Sequence, residues 1–124
     1  MKAALEKLID YGFENYILSA YSQSALFEAC EHYNITKYFK KIKGLDNHYA
    51  AGKTEEAKEL LLEIGKNPSD IILFGDTVHD YEVSKSVGID SVLIKNGHQN
   101  EFILSSCNAP IVSNISSALI YLFN

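Results

Sequence analysis

The apolar positions along this chain change period repeatedly, and each change marks an element. Leu5, Leu8 and Ile9 form a short helical stripe. Tyr16-Ile17-Leu18 is a continuous apolar run that stops at Ser19, the pattern of a buried strand. Leu26, Ala29, Cys30 and Tyr33 return to helical spacing, and Ile42 sits in a short strand ending near Gly44. The plainest helix follows, with Thr54 as N-cap, Glu55 and Glu56 in the electropositive first turn, Ala57, Leu60, Leu61 and Ile64 on one face, and Gly65 as the stop. Ile71-Ile72-Leu73-Phe74 reads as the most deeply buried strand and runs straight into Gly75-Asp76. A helix with Val83 and Val87 inward ends at Gly88. Ser91 to Ile94 is a strand again, and Ile111-Val112 is a last one before a C-terminal helix from Asn114 to Phe123. Strands apolar throughout, alternating with amphipathic helices, predict an α/β fold whose parallel sheet is covered on both faces.

Length and charge narrow the class. A chain of 124 residues suffices for one domain, 1–124, with a single core. Hydrophobic and charged fractions of 47% and 22% exclude a disordered or fibrous chain. Eleven basic against sixteen acidic residues give a net charge of -5, whereas a nucleic-acid binder presents a basic face, so no nucleic-acid partner is expected. The one basic run, Lys37, Lys40, Lys41 and Lys43, reads as solvated surface. Cys30 and Cys107 lack CxxC spacing, and Cys30 reads as a small core hydrophobe in a reducing compartment. No apolar stretch approaches the roughly 20 residues of a membrane span. Met1 to Asp10 reads as the start of an amphipathic helix rather than a signal peptide, so the cytoplasm is expected.

In an open parallel sheet, ligands bind at the carboxyl ends of the strands. The positions that matter are then Ser19, the segment Asp46 to Lys53, Asp76 to Asp80, and Lys95 to His98. Asp76 and Asp80 make a Gly-Asp-x-x-x-Asp pattern at the tip of the most apolar strand. Two hard oxygen ligands there suit Mg²⁺, which keeps several waters and takes one or two carboxylates. The same two acids also suit capping of the next helix, and spacing alone leaves both readings open. Gly52-Lys53-Thr54 imitates the end of a phosphate-cradling loop, but Asn47 stands where that motif needs its first glycine. His79-Asp80 is the doublet of helical metal phosphohydrolases, in a chain that is not all-helical, and His32, His48 and His98 have no ligand spacing. A two-component receiver domain needs an acidic pair after its first strand, where Ser19-Ala20-Tyr21 stands.

Taken in order, Ile17-Leu18-Ser19, Gly52-Lys53 and Ile71-Ile72-Leu73-Phe74-Gly75-Asp76-Thr77-Val78-His79-Asp80 resemble the haloacid dehalogenase superfamily of hydrolases. The stretch from Ile17 to about His98 is similar to its phosphoglycolate phosphatase-like branch, as are the runs FKKIKGLDNHYAAGK and GDTVHDYEVSKSVGID. The resemblance implies a Rossmann-like parallel sheet and a Mg²⁺-dependent phosphatase acting on a phosphorylated small molecule. It implies that Ser19 hydrogen-bonds the transferring phosphoryl group and that Lys53 neutralises charge on the nucleophile and the phosphoryl oxygens, as a compact point charge can. It further implies that Asp76 ligates Mg²⁺, and that Asp80 supports the metal directly or through water. Each role stabilises charge that spreads over phosphoryl oxygens in the transition state.

One departure from the family pattern matters as much. Members open with a strand ending Asp-x-Asp-x-[Thr/Val], whose first Asp attacks phosphorus and whose second is the acid/base. Here Asp10 is followed by Tyr11-Gly12 and Asp46 by Asn47-His48, so the motif, its central strand and the substrate-selecting cap are all missing. Losing a nucleophile alone can cost around 10⁶-fold in rate. The chain is therefore expected to be inactive by itself, as one half of a split phosphatase or as a non-catalytic binding or assembly module. In the family the missing strand lies between the strands ending at Ser19 and at Asp76. Burying about five apolar side chains at ~2 kcal/mol each makes such a strand worth on the order of 10 kcal/mol. That rivals the roughly 5–15 kcal/mol net stability of a domain. The expectation is that the two flanking strands pair directly, or that a second copy or a complementing N-terminal polypeptide covers them.

Overall fold

The computed structural model describes residues 2–19, 22–44, 52–95 and 101–122, with the side chains of Gly52 and Lys53 excepted. Asp46 to Ala51 and His98 therefore lie outside the described residues. The elements run α1 (Lys2–Asp10), β1 (Tyr16–Leu18), α2 (Gln23–His32), β2 (Lys41–Lys43), α3 (Gly52–Ile64), β3 (Ile72–Gly75), α4 (Val78–Val87), β4 (Asp90–Ile94), α5 (Glu101–Leu104), β5 (Ile111–Val112) and α6 (Ile115–Ala118). Single turns of 3₁₀ helix at Thr36–Tyr38, Pro68–Asp70 and Leu119–Leu122 complete the order. Contacts divide the chain into two compact units, Met1–Glu63 and Ile64–Asn124.

In the first unit β1 and β2 pair in parallel, with Ile17 opposite Ile42. Parallel strands need a long crossover, and α2 supplies it. Its start is fixed by Ser22, whose Oγ accepts the N–H of Ala25, and its inward stripe is Leu26 and Cys30. Burial pushes the Cys30 thiol up, and the Glu31 charge adds to it. On α1 the inward face is Ala4, Leu5 and Leu8, while Ile9 is exposed. The hydroxyl of the buried Tyr38 donates to Glu6 at 2.7 Å and ties the turn before β2 to α1.

The basic run is exposed at Lys37, Lys40 and Lys41, as expected of solvated surface, and half-buried at Lys43. Lys40 pairs with Glu14 at 2.7 Å and Lys41 with Glu63 at 2.7 Å. Lys43 faces Glu56, Glu59 and Glu63 of α3 at 3.3–3.6 Å. With Lys43 and Glu56 each only 14% exposed at the side chain, this network joins α3 to β2 in a partly desolvated setting.

In the second unit β3, β4 and β5 form a parallel sheet in that order, with Phe74 opposite Val92 and Leu93 opposite Ile111. The core gathers Val83, Val92, Leu93, Leu104 and Ala118, all at most 1% exposed. Gly88 stops α4 in the left-handed conformation at φ 79°, as glycine readily does. Asn114 caps α6 through its side chain, which accepts the N–H of Ser117.

Several expectations shift. α3 begins at Gly52, so Thr54 lies inside the helix rather than capping it. Tyr33 falls at the α2 C-cap and is exposed. The C-terminal helix is one α-helical turn followed by a 3₁₀ turn. The residues of β3 are half-buried, and β4 is the deeply buried strand. Within the first unit β1 pairs with β2, and within the second β3 pairs with β4 at one edge only among the described residues. An edge position explains why an all-apolar β3 is less buried than its neighbour.

Two titrations bear on the Lys43 network. Burial pulls the Lys43 ammonium down, but its hydrogen bond to Glu59 and the charges of Glu63, Glu56 and Glu59 outweigh it, leaving the pKa above the usual 10.5. The hydrogen bond from Lys41 and the charge of Lys43 hold the Glu63 carboxyl below its usual 4.5 despite burial. A raised base stabilises the fold below 10.5 and loses that contribution as pH rises through its folded pKa. A lowered acid stabilises above 4.5 and loses it as pH falls through its folded pKa. Lys43→Ala should therefore cost on the order of 1–2 kcal/mol at neutral pH in urea unfolding, and the deficit should narrow below pH 4.5. Lys40→Ala, at a pair whose lysine is 62% exposed, should leave the urea midpoint nearly unchanged.

Candidate functional site

The tip of β3 turns into α4 through Gly75, Asp76 and Thr77. Thr77 is the helix N-cap, in extended conformation, and its Oγ1 accepts the N–H of Asp80 at 3.1 Å. Asp80 sits in the first turn, where a carboxylate faces the unpaired amides of the helix start. Its Oδ2 reaches back one residue beyond the cap and accepts the N–H of Asp76 at 3.0 Å. The result is a reciprocal cap in which an aspartate does what glutamate usually does in a capping box.

That reach demands a glycine. A Cβ on Gly75 would lie 2.5 Å from Asp80 Cβ and 2.8 Å from both Cγ and Oδ2. Gly75 does not have a positive φ, so the requirement is space, not backbone conformation. Asp80 is 5% exposed and engaged with backbone, whereas Asp76 is half-buried. Among the described residues the Asp76 side chain enters no hydrogen bond or ion pair.

The carboxylates expected to act together are thus adjacent but differently employed. Asp80 orders the turn, and Asp76 is the acid presented at the strand tip. Mg²⁺ accepts one or two carboxylates with waters and phosphate oxygens completing its shell. Asp76 fits that donor set, while one Asp80 oxygen is already committed to a peptide N–H. No group of three or more His, Cys, Asp or Glu side chains that could enclose a metal occurs among the described residues.

In the other unit Ser19 follows β1 directly, half-buried, and its N–H donates to the Lys43 carbonyl at 3.0 Å. Lys53 lies in the first turn of α3 by its backbone, and its side chain is outside the described residues. Beyond β4, Lys95 pairs with Glu101 at 3.2 Å, and His79 is exposed on α4. Sequence spacing missed two contributors. Thr77 as cap was readable in Thr-x-x-Asp, a capping-box signature. Gln23, whose amide bridges Ile42 O and Gly44 N at 2.8 and 2.7 Å across 19 and 21 residues, carried no local signal.

Gly75→Ala should destabilise the chain by about 1–3 kcal/mol in urea unfolding, because Asp80 Cβ cannot swing aside as a long side-chain end could. Asp80→Ala strands the Asp76 N–H and should cost about 1–3 kcal/mol, while Asp80→Asn keeps an acceptor there and should cost less.

A family model described as haloacid dehalogenase-like hydrolase matches residues 1–94. No curated protein sequence matches the chain. Among solved structures, a candidate phosphatase from Clostridium difficile is 26% identical, with a TM-score of 0.91 over 98% of this chain and 58% of that one. A haloacid dehalogenase-like family hydrolase from Streptococcus pneumoniae is 22% identical, with a TM-score of 0.88 over 99% of this chain and 58% of that one. A predicted phosphoglycolate phosphatase from Haemophilus somnus is 19% identical, with a TM-score of 0.85 over 97% and 54%. The last two likenesses are of fold alone. The chain spans between 54% and 58% of the length of these three structures. It belongs to the haloacid dehalogenase-like hydrolases, and its parallel α/β fold is that of the family's phosphatases.

Proposed function

We propose that this chain supplies the phosphate- and magnesium-handling part of a phosphoric monoester hydrolase of the phosphoglycolate phosphatase-like kind, and that the nucleophile strand comes from outside these 124 residues. The observation that carries the reading is the tip of β3, where a capped turn over Gly75 presents Asp76 at the carboxyl end of a parallel strand. Ligand chemistry in such folds gathers at those ends. Bound there, Mg²⁺ would lend positive charge to the phosphoryl oxygens.

In this reading Asp76 would hold the cation, and Asp80 fixes the Asp76 backbone through its N–H. The Ser19 hydroxyl donates to a phosphoryl oxygen from a backbone anchored on β2. Lys53, at the start of α3, offsets negative charge during transfer. The family's nucleophile and acid/base form an Asp-x-Asp pair, and no such pair occurs in the chain. A cytoplasmic setting and a small phosphorylated substrate accord with the reading. A second reading, a non-catalytic binding module, draws on that same missing pair.

Two outcomes are expected. The purified chain alone should not hydrolyse p-nitrophenyl phosphate above background. Robust turnover lost in Lys53→Ala would mean that a nucleophile is present among these residues after all. Isothermal titration with Mg²⁺ should show binding weaker than micromolar that Asp76→Asn removes, because one free carboxylate leaves most of the shell to water. Micromolar affinity unchanged by Asp76→Asn would remove Asp76 from the metal site.

A further inference from the structure

We propose that Gln23 is a positioning residue for Ser19, acting through the tip of β2; the inference rests on the phosphate-handling role given to Ser19 above. The Ser19 N–H is held by the carbonyl of Lys43. Gln23 grips the residues on either side of Lys43: its Nε2 donates to Ile42 O at 2.8 Å, and its Oε1 accepts from Gly44 N at 2.7 Å. Successive residues of a strand direct their backbone groups to opposite edges. One edge of the β2 tip is therefore bound to Ser19 and the other to the Gln23 amide.

The amide's orientation is forced, since a carbonyl can only accept and an N–H can only donate. Gln23 is also well seated. It is the first residue of α2, immediately after the cap Ser22, whose Oγ accepts the Ala25 N–H at 3.3 Å. The side chain thus acts as a one-residue neighbouring strand, satisfying an edge that would otherwise be open. Satisfying the edge and fixing both flanks of Lys43 use the same donor and acceptor, so phosphate affinity is the readout that separates the two roles.

The test uses the whole chain with inorganic phosphate as the probe, read by phosphorus NMR titration alongside amide exchange at Gly44. Gln23→Met should speed Gly44 exchange about tenfold and weaken phosphate binding about tenfold. Tyr38→Phe, which removes the remote bond to Glu6, should lower the thermal midpoint while leaving phosphate affinity alone. Gln23→Glu should match Gln23→Met at neutral pH, because a carboxylate cannot donate to Ile42 O. It should recover toward the parent, compared at each pH, once its carboxyl is protonated and can again donate and accept. This arm holds even where the methionine variant folds poorly. Unchanged phosphate affinity in Gln23→Met, or no acid recovery in Gln23→Glu, overturns the positioning role and leaves the phosphatase reading standing. A parent chain that binds no phosphate overturns that reading, and this inference with it.

Discussion

The hydrogen bond from the Asp76 N–H to Asp80 Oδ2 constrains everything around the candidate site. It draws an aspartate side chain across the backbone of Gly75, which fixes the residue type there by space alone. It also braces the entry to α4, where Thr77 Oγ1 accepts the N–H of Asp80. A buried carboxylate without partners would be costly, and this one accepts the peptide N–H of Asp76 just ahead of the helix. The Asp76 side chain itself enters no hydrogen bond or ion pair among the described residues.

The first unit solves a similar problem with different groups. Its strands are three residues long, too short to be rigid through their ladder alone. Side chains supply the rest. Gln23 grips the far edge of β2, Asn15 Nδ2 donates to the Tyr38 carbonyl at 3.2 Å, and Lys43 is surrounded by acids of α3. Of the basic run, Lys43 is drawn into packing in this way, while Lys37, Lys40 and Lys41 stay exposed.

The positions of β1, β2, β4 and β5 were legible because short apolar runs bounded by Ser19, Gly44 and turn residues admit few other readings. The capped turn after β3 was legible in outline, since Gly-Asp-Thr-x-x-Asp carries its own chemistry. What could not be read was the division of labour between Asp76 and Asp80, because spacing gives proximity but not which oxygen meets which N–H. The half-burial of β3 escaped as well. An all-apolar strand reads as deeply buried, yet β3 is the edge of its sheet among the described residues, as a missing neighbour strand implies. Burial is a property of the whole chain. Gln23 escaped for the same reason, its partners being 19 and 21 residues away. Leu104, wholly buried on α5, stood in a stretch with too few periods to register.

The central claim is that these residues form one part of a phosphatase site whose nucleophile lies elsewhere. The most direct test adds a separate polypeptide carrying an Asp-x-Asp-x-Thr strand to the purified chain and follows Mg²⁺-dependent release of p-nitrophenol from its phosphate. The account predicts turnover only in the mixture, abolished by Asp76→Asn in this chain and by replacing the first aspartate in the other. A mixture that forms a complex yet stays inactive, or one whose turnover ignores Asp76→Asn, contradicts it.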